Sequence, residues 1–296
     1  MHKICVIGSM NMDLCVEAPR MPAMGETVLG RGFIASPGGK GANQAVAAAR
    51  LGAQVTMVGC VGDDAFGARL IGNLRVNGVD TGYIRVTGEA PTGAAVILLH
   101  EGDNCIVVDP GANMRLRPGD IEEMEGVIAA SDMLILQLEV PPETVRRAME
   151  LARAHGVRVL LNPAPAQEAP AEFLAMADVL TPNASECEAL TGCADMEKGA
   201  RALVQMGIPR VVVTLGGRGV LYNDDGRMIH RPARPVNVVD TTAAGDAFTG
   251  ALAVSLAEGM GFEEAVDFAQ AAAALTVTRR GAQEALPGRA EAEGFM

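Results

Sequence analysis

The chain has 296 residues, 49% of them apolar and 35 of them glycine, with a formal charge of −12. That length predicts one large domain with a smaller appendage, and the acidic balance argues against a nucleic-acid binder or a protein that adheres to anionic membranes. No stretch reaches the roughly 18 apolar residues of a membrane span, and six scattered cysteines with four scattered histidines form no C-x-x-C pair that would suggest structural zinc.

Residues 3–8 form an apolar run that reads as a strand buried on both faces. No cleavage-site pattern precedes it, so the expectation is a cytoplasmic protein with reduced thiols. Asn11 and Asp13 come next, where a first parallel strand delivers its C-terminal end. Ligands bind at that edge in open α/β sheets. The two side chains could bond a polyol, or could form a local Asx turn. From Leu14 to Ile34, short alternating pieces broken by Pro19, Pro22 and Gly25 read as antiparallel strands outside the βα rhythm. A second such patch, Gly93 to Val108, flanks the turn-like Glu101-Gly102-Asp103-Asn104. Segments 14–34 and 93–108 are expected to pair as a small β lid over a main domain made of 1–13, 35–92 and 109–296.

Between the two β segments lies a glycine cluster, Gly38, Gly39 and Gly41 with Lys40 and Asn43, opening a helix from Ala45 to Leu51. The glycines permit a tight turn and close approach of a ligand, while Lys40 and Asn43 supply charge and an amide. The spacing is not that of a P-loop. The βα rhythm then resumes with strand Val55–Val61, helix Ala65–Val76, strand Asp132–Leu138, helix Pro142–His155, strand Val157–Leu161 and a short strand Asp178–Leu180. Glu139 falls at the same sheet edge as Asn11 and Asp13, facing a sugar hydroxyl, a metal-bound water or solvent. Asn183 and Glu186, three apart in a first helical turn, suit a hydrated magnesium ion and phosphate, and equally a capping box. Strand Val211–Leu215 precedes Gly216, Gly217, Arg218 and Gly219. With Thr214 this turn could take a nucleotide's phosphates or adenine, or could lead a hairpin into Val220-Leu221-Tyr222.

Near the end, an apolar, strand-like lead-in (Val236, Val238, Val239) runs into Asp240-Thr241-Thr242-Ala243-Ala244-Gly245-Asp246 and a helical run to Ala257. N–H groups at a helix start have no intrahelical acceptor, so the turn Thr242–Gly245 could receive an oxyanion or phosphate, with Gly245 allowing close approach. Asp246 in the first turn could accept a proton from a bound hydroxyl, or merely charge the helix start. A helix from Phe262 to Val277 ends at Arg279-Arg280-Gly281, whose carbonyls, beside Asp240 and Thr242, would suit a hard cation.

Together, Asn11-Met12-Asp13, Gly38 to Gln44, Asp109-Pro110-Gly111-Ala112-Asn113, Leu136 to Glu139, Asn162 to Ala166, Asn183 to Glu186 and Asp240 to Asp246 resemble the ribokinase family of carbohydrate and nucleoside kinases over nearly the whole length. The resemblance implies a three-layer α/β/α sandwich with a mostly parallel central sheet, and a β lid that also forms a homodimer interface. It implies transfer of the γ-phosphate of ATP to a sugar hydroxyl, with the 5-hydroxyl of ribose the expected acceptor. Asn11, Asp13, Gly39, Lys40, Asn43 and Glu139, with Gly41 in the same turn, would hold the sugar. Asp246 would be the base, with Ala243, Ala244 and Gly245 as oxyanion turn. Asn183, Thr214, the Gly216–Gly219 turn, Gly245 and Gln270 would contact ATP. Mg2+ would lie near Asn183 and Glu186. An activating K+ would bind Asp240 and Thr242 with main-chain oxygens of Thr276, Arg279 and Gly281. Where members of the family often carry a serine in the loop closing that cation site, this chain has Ala285. Rival readings are a kinase of the same fold acting on a nucleoside, fructose, deoxyribose or a keto-deoxy sugar acid, and a non-catalytic sugar-binding protein. Aromatic content of 3% disfavours a base-stacking pocket, although Phe33 could stack.

Overall fold

The computed structural model describes residues 1–101 and 103–296. In its first strand, β1 (Lys3–Ile7), Ile4 and Val6 enter one core and Cys5 and Ile7 another, because successive strand side chains point to opposite faces. The chain then leaves the sheet for β2 (Asn11–Glu17) and β3 (Arg31–Gly38). It returns through α1 (Lys40–Arg50), β4 (Gln54–Gly62), α2 (Ala65–Val76) and β5 (Asp80–Thr87), and leaves again for β6 (Gly93–His100) and β7 (Asp103–Asp109). Short helices α3 (Pro118–Glu123) and α4 (Glu125–Ala129) lead to β8 (Met133–Leu136), α5 (Pro142–Ala154), β9 (Arg158–Leu161), α6 (Ala171–Leu174), β10 (Val179–Leu180), α7 (Ala184–Thr191), α8 (Met196–Gln205) and β11 (Arg210–Thr214). The hairpin β12 (Val220–Asp224) and β13 (Arg227–Arg231), then α9 (Ala244–Ala257), α10 (Phe262–Thr276) and α11 (Arg289–Glu293), complete it.

The main sheet has nine strands in the order β13-β12-β11-β10-β9-β8-β1-β4-β5. It is parallel from β11 to β5, and the β12–β13 hairpin adds an antiparallel edge. Apolar residues of α1, α2, α9 and α10 pack on one face and those of α3, α5, α6 and α8 on the other. This is the expected α/β/α sandwich. The order reverses at β1, which has β4 on one side and β8 on the other, so a switch point opens outside the C-terminal strand ends.

A second sheet has four strands in the order β3-β2-β6-β7. Its two hairpins are antiparallel, as expected, but the seam between them, β2 to β6, is parallel. Both β2 and β6 leave the same edge of the main sheet, following β1 and β5, and so run in the same direction. Part of the expected turn at 101–104 lies outside the described residues, namely Gly102. Two further expectations are corrected. The valine-rich lead-in at 236–239 is not a strand. Val238 and Val239 are exposed, and the N–H of Val239 bonds to the carbonyl of Val277 at the end of α10. Helix α1 begins at Lys40, five residues before Ala45, because Gly39 turns the chain directly into it at φ 89.

The two helices that carry the site are in close contact. A Cβ placed on Gly250 of α9 would lie 2.7 Å from the Cβ of Ala47 and 3.0 Å from the carbonyl oxygen of Gln44, both in α1. We therefore expect Gly250→Ala to lower stability in denaturant titration by about 1–2 kcal/mol, overpacking outweighing the better helix propensity of alanine. Unchanged or raised stability would show that the α1–α9 contact is slack.

Candidate active site

At the start of α9, Ala243 takes up a left-handed conformation, φ 60, which turns the chain into the helix without a side-chain cap. The N–H groups of Gly245 and Asp246 have no acceptor among the described residues. A Cβ on Gly245 would meet nothing within 4 Å. Two free donors beside open space at a positive helix end make an anion site. Asp246 is 7% exposed. Its Oδ2 accepts from Asn43 Nδ2 at 2.9 Å and its Oδ1 from Gln44 Nε2 at 3.0 Å. Burial raises its pKa, while Lys40 and the two amide bonds pull the other way.

Around it opens a cleft of about 210 Å3 lined by Lys40, Asn162, Ala164, Thr181, Asn183, Glu186, Thr214, Thr241, Ala243, Ala244, Gly245, Asp246 and Thr249. Most of the predicted residues near the nucleotide and the base therefore meet in one place. Asn162, Thr181 and Thr249 were not anticipated as lining residues. Asn162 accepts from Gln44 Nε2 and donates to the carbonyl of Thr181. The signal for it was a polar side chain at the end of an apolar strand. The turn Gly216–Arg218, Gly219 and Gln270 lie outside this lining. Gln270 donates to the carbonyl of Arg231, and the turn leads into β12, so the hairpin reading holds for its backbone.

Of the residues expected to hold a sugar, Lys40 alone lines this cleft; the backbone at Gly39 passes so close to β2 that a Cβ there would lie 2.6 Å from the amide nitrogen of Asn11. Asn113 donates to Asn11 Oδ1 at 2.7 Å and holds both main-chain groups of Met10. Glu139 Oε2 accepts from the hydroxyl of Ser9 and, at 3.3 Å, from the N–H of Lys40. Asp13, Glu139, Glu186 and Asp246 all act on Lys40. Burial lowers its pKa but these carboxylates outweigh it, so the ammonium is held above its ordinary value. Asp13 goes the other way: burial pushes it up to about 7, with Glu139, Asp246 and Glu284 adding and Lys40 opposing.

Asn183 and Glu186 form the reciprocal capping box of α7. Burial nevertheless raises the pKa of Glu186. Ahead of α9, Asp240 Oδ1 accepts from the N–H and hydroxyl of Thr242 at 2.9 and 2.7 Å, and Oδ2 accepts from the N–H of Gly281 at 3.0 Å. The carbonyl of Val277 takes the N–H groups of Val239 and Asp240. Burial pulls Asp240 up, but these bonds and Arg280 hold it below the usual carboxylate value. An ionised carboxylate beside the carbonyls of a helix end has the donor chemistry of a hard cation site.

A family model for pfkB family carbohydrate kinases matches residues 1–289. A ribokinase of Bacillus subtilis (strain 168) is 46% identical over 300 residues, covering 100% of both sequences. The solved structure of Arabidopsis thaliana ribokinase complexed with ribose and ATP has a TM-score of 0.93 at 33% identity, over 100% of this chain and 99% of that one. A Thermotoga maritima ribokinase structure has a TM-score of 0.91 at 42% identity, again over 100% and 99%.

The raised carboxyl of Asp13 has a consequence for stability. A carboxyl that binds its proton more tightly when folded stabilises the protein fully below its unfolded pKa and loses that contribution as the pH rises through the folded one. The window here is from the ordinary value of 3.8 to about 7. In thermal melts of ligand-free protein, Asp13→Asn should gain on its parent as the pH is raised from about 4 to about 8. An offset between the two proteins that is the same at both pH values would contradict this.

Proposed function

The chain belongs to the pfkB family of carbohydrate kinases, and on that premise we propose that it acts as a ribokinase, moving the γ-phosphate of ATP to the 5-hydroxyl of D-ribose. The observation that carries the reading is the buried Asp246 carboxylate, which faces one cleft with Lys40 and with the free N–H groups that begin α9. Phosphoryl transfer through a loose transition state asks mainly for in-line placement and neutralised charge. The free N–H groups of Gly245 and Asp246, at the end of the Ala243–Gly245 turn, receive charge on the transferring group, while the N–H of Ala244 bonds to the carbonyl of Thr241, and Lys40 balances the phosphates. Asp246 orients the attacking hydroxyl and takes its proton late.

Asn11, Asp13, Gly39, Gly41, Lys40, Asn43 and Glu139 hold the sugar in this reading. Asn183, Thr214, the Gly216–Gly219 turn, Gly245 and Gln270 contact ATP. No cluster of three acidic, histidine or cysteine side chains that could hold a metal occurs among the described residues. That suits magnesium, which keeps most of its waters and arrives with the phosphates it neutralises. Asn183 and Glu186 would meet its water shell. An activating potassium ion would be held by Asp240, Thr242 and the carbonyls of Thr276, Arg279 and Gly281. The buried methyl of Ala285 would stand in that loop in place of a hydroxyl.

The second sheet, whose strands take in parts of segments 14–34 and 93–108, acts as a lid that shuts water away from the sugar. It leaves Phe33, Ile34, Val96, Ile106, Val107 and Val108 exposed. So large an apolar surface supports pairing of two lids in a homodimer. No helix among the described residues is long and apolar enough to cross a membrane, and the six cysteines are free thiols, which fits a reducing cytoplasm.

The acceptor is tested by ADP release with ribose, deoxyribose, fructose and adenosine, each with and without K+. Ribose should give the highest kcat/KM, and a preference for another acceptor would overturn the assignment. Asp246→Asn should lower kcat by about 10²- to 10⁴-fold, the range for a positioned base, with ATP binding retained. Activity within threefold of the parent would remove Asp246 from that role. ATP hydrolysis without sugar should be slow, because an open lid leaves the site incomplete; rapid sugar-independent turnover would contradict the lid's part in it.

A further inference from the structure

The donors that hold Asp246 are primary amides, and a primary amide has a right and a wrong way round. Its NH2 end donates and its oxygen accepts, while an ionised carboxylate only accepts. Asn43 and Gln44 therefore hold the base only while their NH2 ends face it. Each is turned that way by an amide further out, and Gln44 also by Asn162, whose Oδ1 accepts from its Nε2 at 3.1 Å. Gln137, following β8, donates to Gln44 Oε1 at 2.6 Å, and Gln283, in the short turn Gln283–Ala285 beyond α10, donates to Asn43 Oδ1 at 3.0 Å. Gln283 is itself fixed, since Asn73 of α2 donates to its Oε1 and Arg50 of α1 donates to its main-chain oxygen at 2.7 Å. Both glutamines are almost fully buried, at 0% and 2% exposure, and neither lines the cleft.

We infer that Gln137 and Gln283 are positioning residues for the phosphoryl transfer: two outer amides that select the orientation of Gln44 and Asn43 and so deliver one N–H to each oxygen of Asp246. The arms are independent. One runs from the end of β8 through Gln44 to Oδ1, the other from the loop after α10 through Asn43 to Oδ2. Gln283 also lies two residues beyond Gly281, whose N–H holds Asp240, so one loop secures both the entry to the oxyanion turn and the carboxylate that follows it. The remaining charges around the base are Lys40 of α1, Asp13 of β2, Glu139 after β8 and Glu186 of α7. They stay in place when the outer amides are changed.

The inference rests on Asp246 being the base, and the test separates the two. In Gln283→Leu the donor to Asn43 Oδ1 is lost and no charge is added, so Asn43 is free to turn its oxygen toward Asp246. Losing a donor to an ionised carboxylate disfavours that ion, so the acid limb of the kcat–pH profile should move up by about one to two pH units. The KM for sugar should rise as well, because Asn43 also faces the sugar. Gln137→Leu removes the donor to Gln44 Oε1 while Asn162 still accepts from its Nε2, so it should move the same limb in the same direction but by less, leaving the KM for sugar within about twofold. Purely structural roles would lower the melting temperature and kcat without moving the limb. A limb that stays at the parental pH in either variant overturns the claim for that arm, and so does a variant that does not fold. Asp246→Asn is the control: if it keeps the parental activity and limb, the base assignment itself fails, whereas loss of activity there with unmoved limbs in the glutamine variants rejects only the inference.

Discussion

A base for phosphoryl transfer has to meet two demands that oppose each other. It must be shielded from water, so that the proton and the phosphoryl group go only where they are aimed, and it must stay ionised, which burial resists. In the proposed role Asp246 meets both by trading water for fixed donors. Burial raises its pKa, and the Lys40 ammonium, Asn43 and Gln44 offset part of that rise. The position at the start of α9 adds the helix dipole.

The fold can be read as the means of placing those groups. The amides come from α1 and the carboxylate from α9, and the two helices touch through Gly250 with no room for a side chain. The turn into α9 passes through Ala243 in a left-handed conformation, which costs a non-glycine residue about 1–2 kcal/mol. Bonds from Thr242, Gly281 and Val277 to the Asp240 segment hold that turn in place. The other contributors stand at the C-terminal ends of parallel strands, because a switch point at β1 gathers Glu139, Asn162, Thr181 and Thr214 along one edge. Asn11 and Asp13 of β2 join them because that strand leaves the same edge to build the second sheet.

Much of this was legible in the sequence, for physical reasons that can be named. Strands buried on both faces write themselves as apolar runs, which is why β1, β4, β8, β9 and β11 were found to within about two residues. The edge strand β5, Asp80–Thr87, was missed because its half-exposed residues show neither an apolar run nor a clean alternation. Strand β13 and helix α8 were missed likewise. Val238 and Val239 misled in the opposite sense, being apolar but exposed. Within the site, the acids and the lysine were visible as charges at strand ends and helix starts. The amides were harder. Gln44 lies in a helix buried from Gly41 to Ala48, where a polar side chain is a signal in itself, but its partner Gln137 is 93 residues away and Gln283, the partner of Asn43, is 240 residues from it, and only the folded chain brings them together. Nothing in spacing predicts which way an amide faces.

The central claim is that one cleft brings a sugar hydroxyl, the Asp246 carboxylate and the phosphoryl-accepting amides of α9 into line. A crystal structure with ribose and a non-hydrolysable ATP analogue addresses it directly. The account predicts the 5-hydroxyl oxygen at hydrogen-bond distance, about 2.6–3.2 Å, from a carboxylate oxygen of Asp246, with the terminal phosphate against the N–H groups of Gly245 and Asp246. A sugar seated away from Asp246, or a terminal phosphate that leaves those N–H groups unbonded, would contradict it.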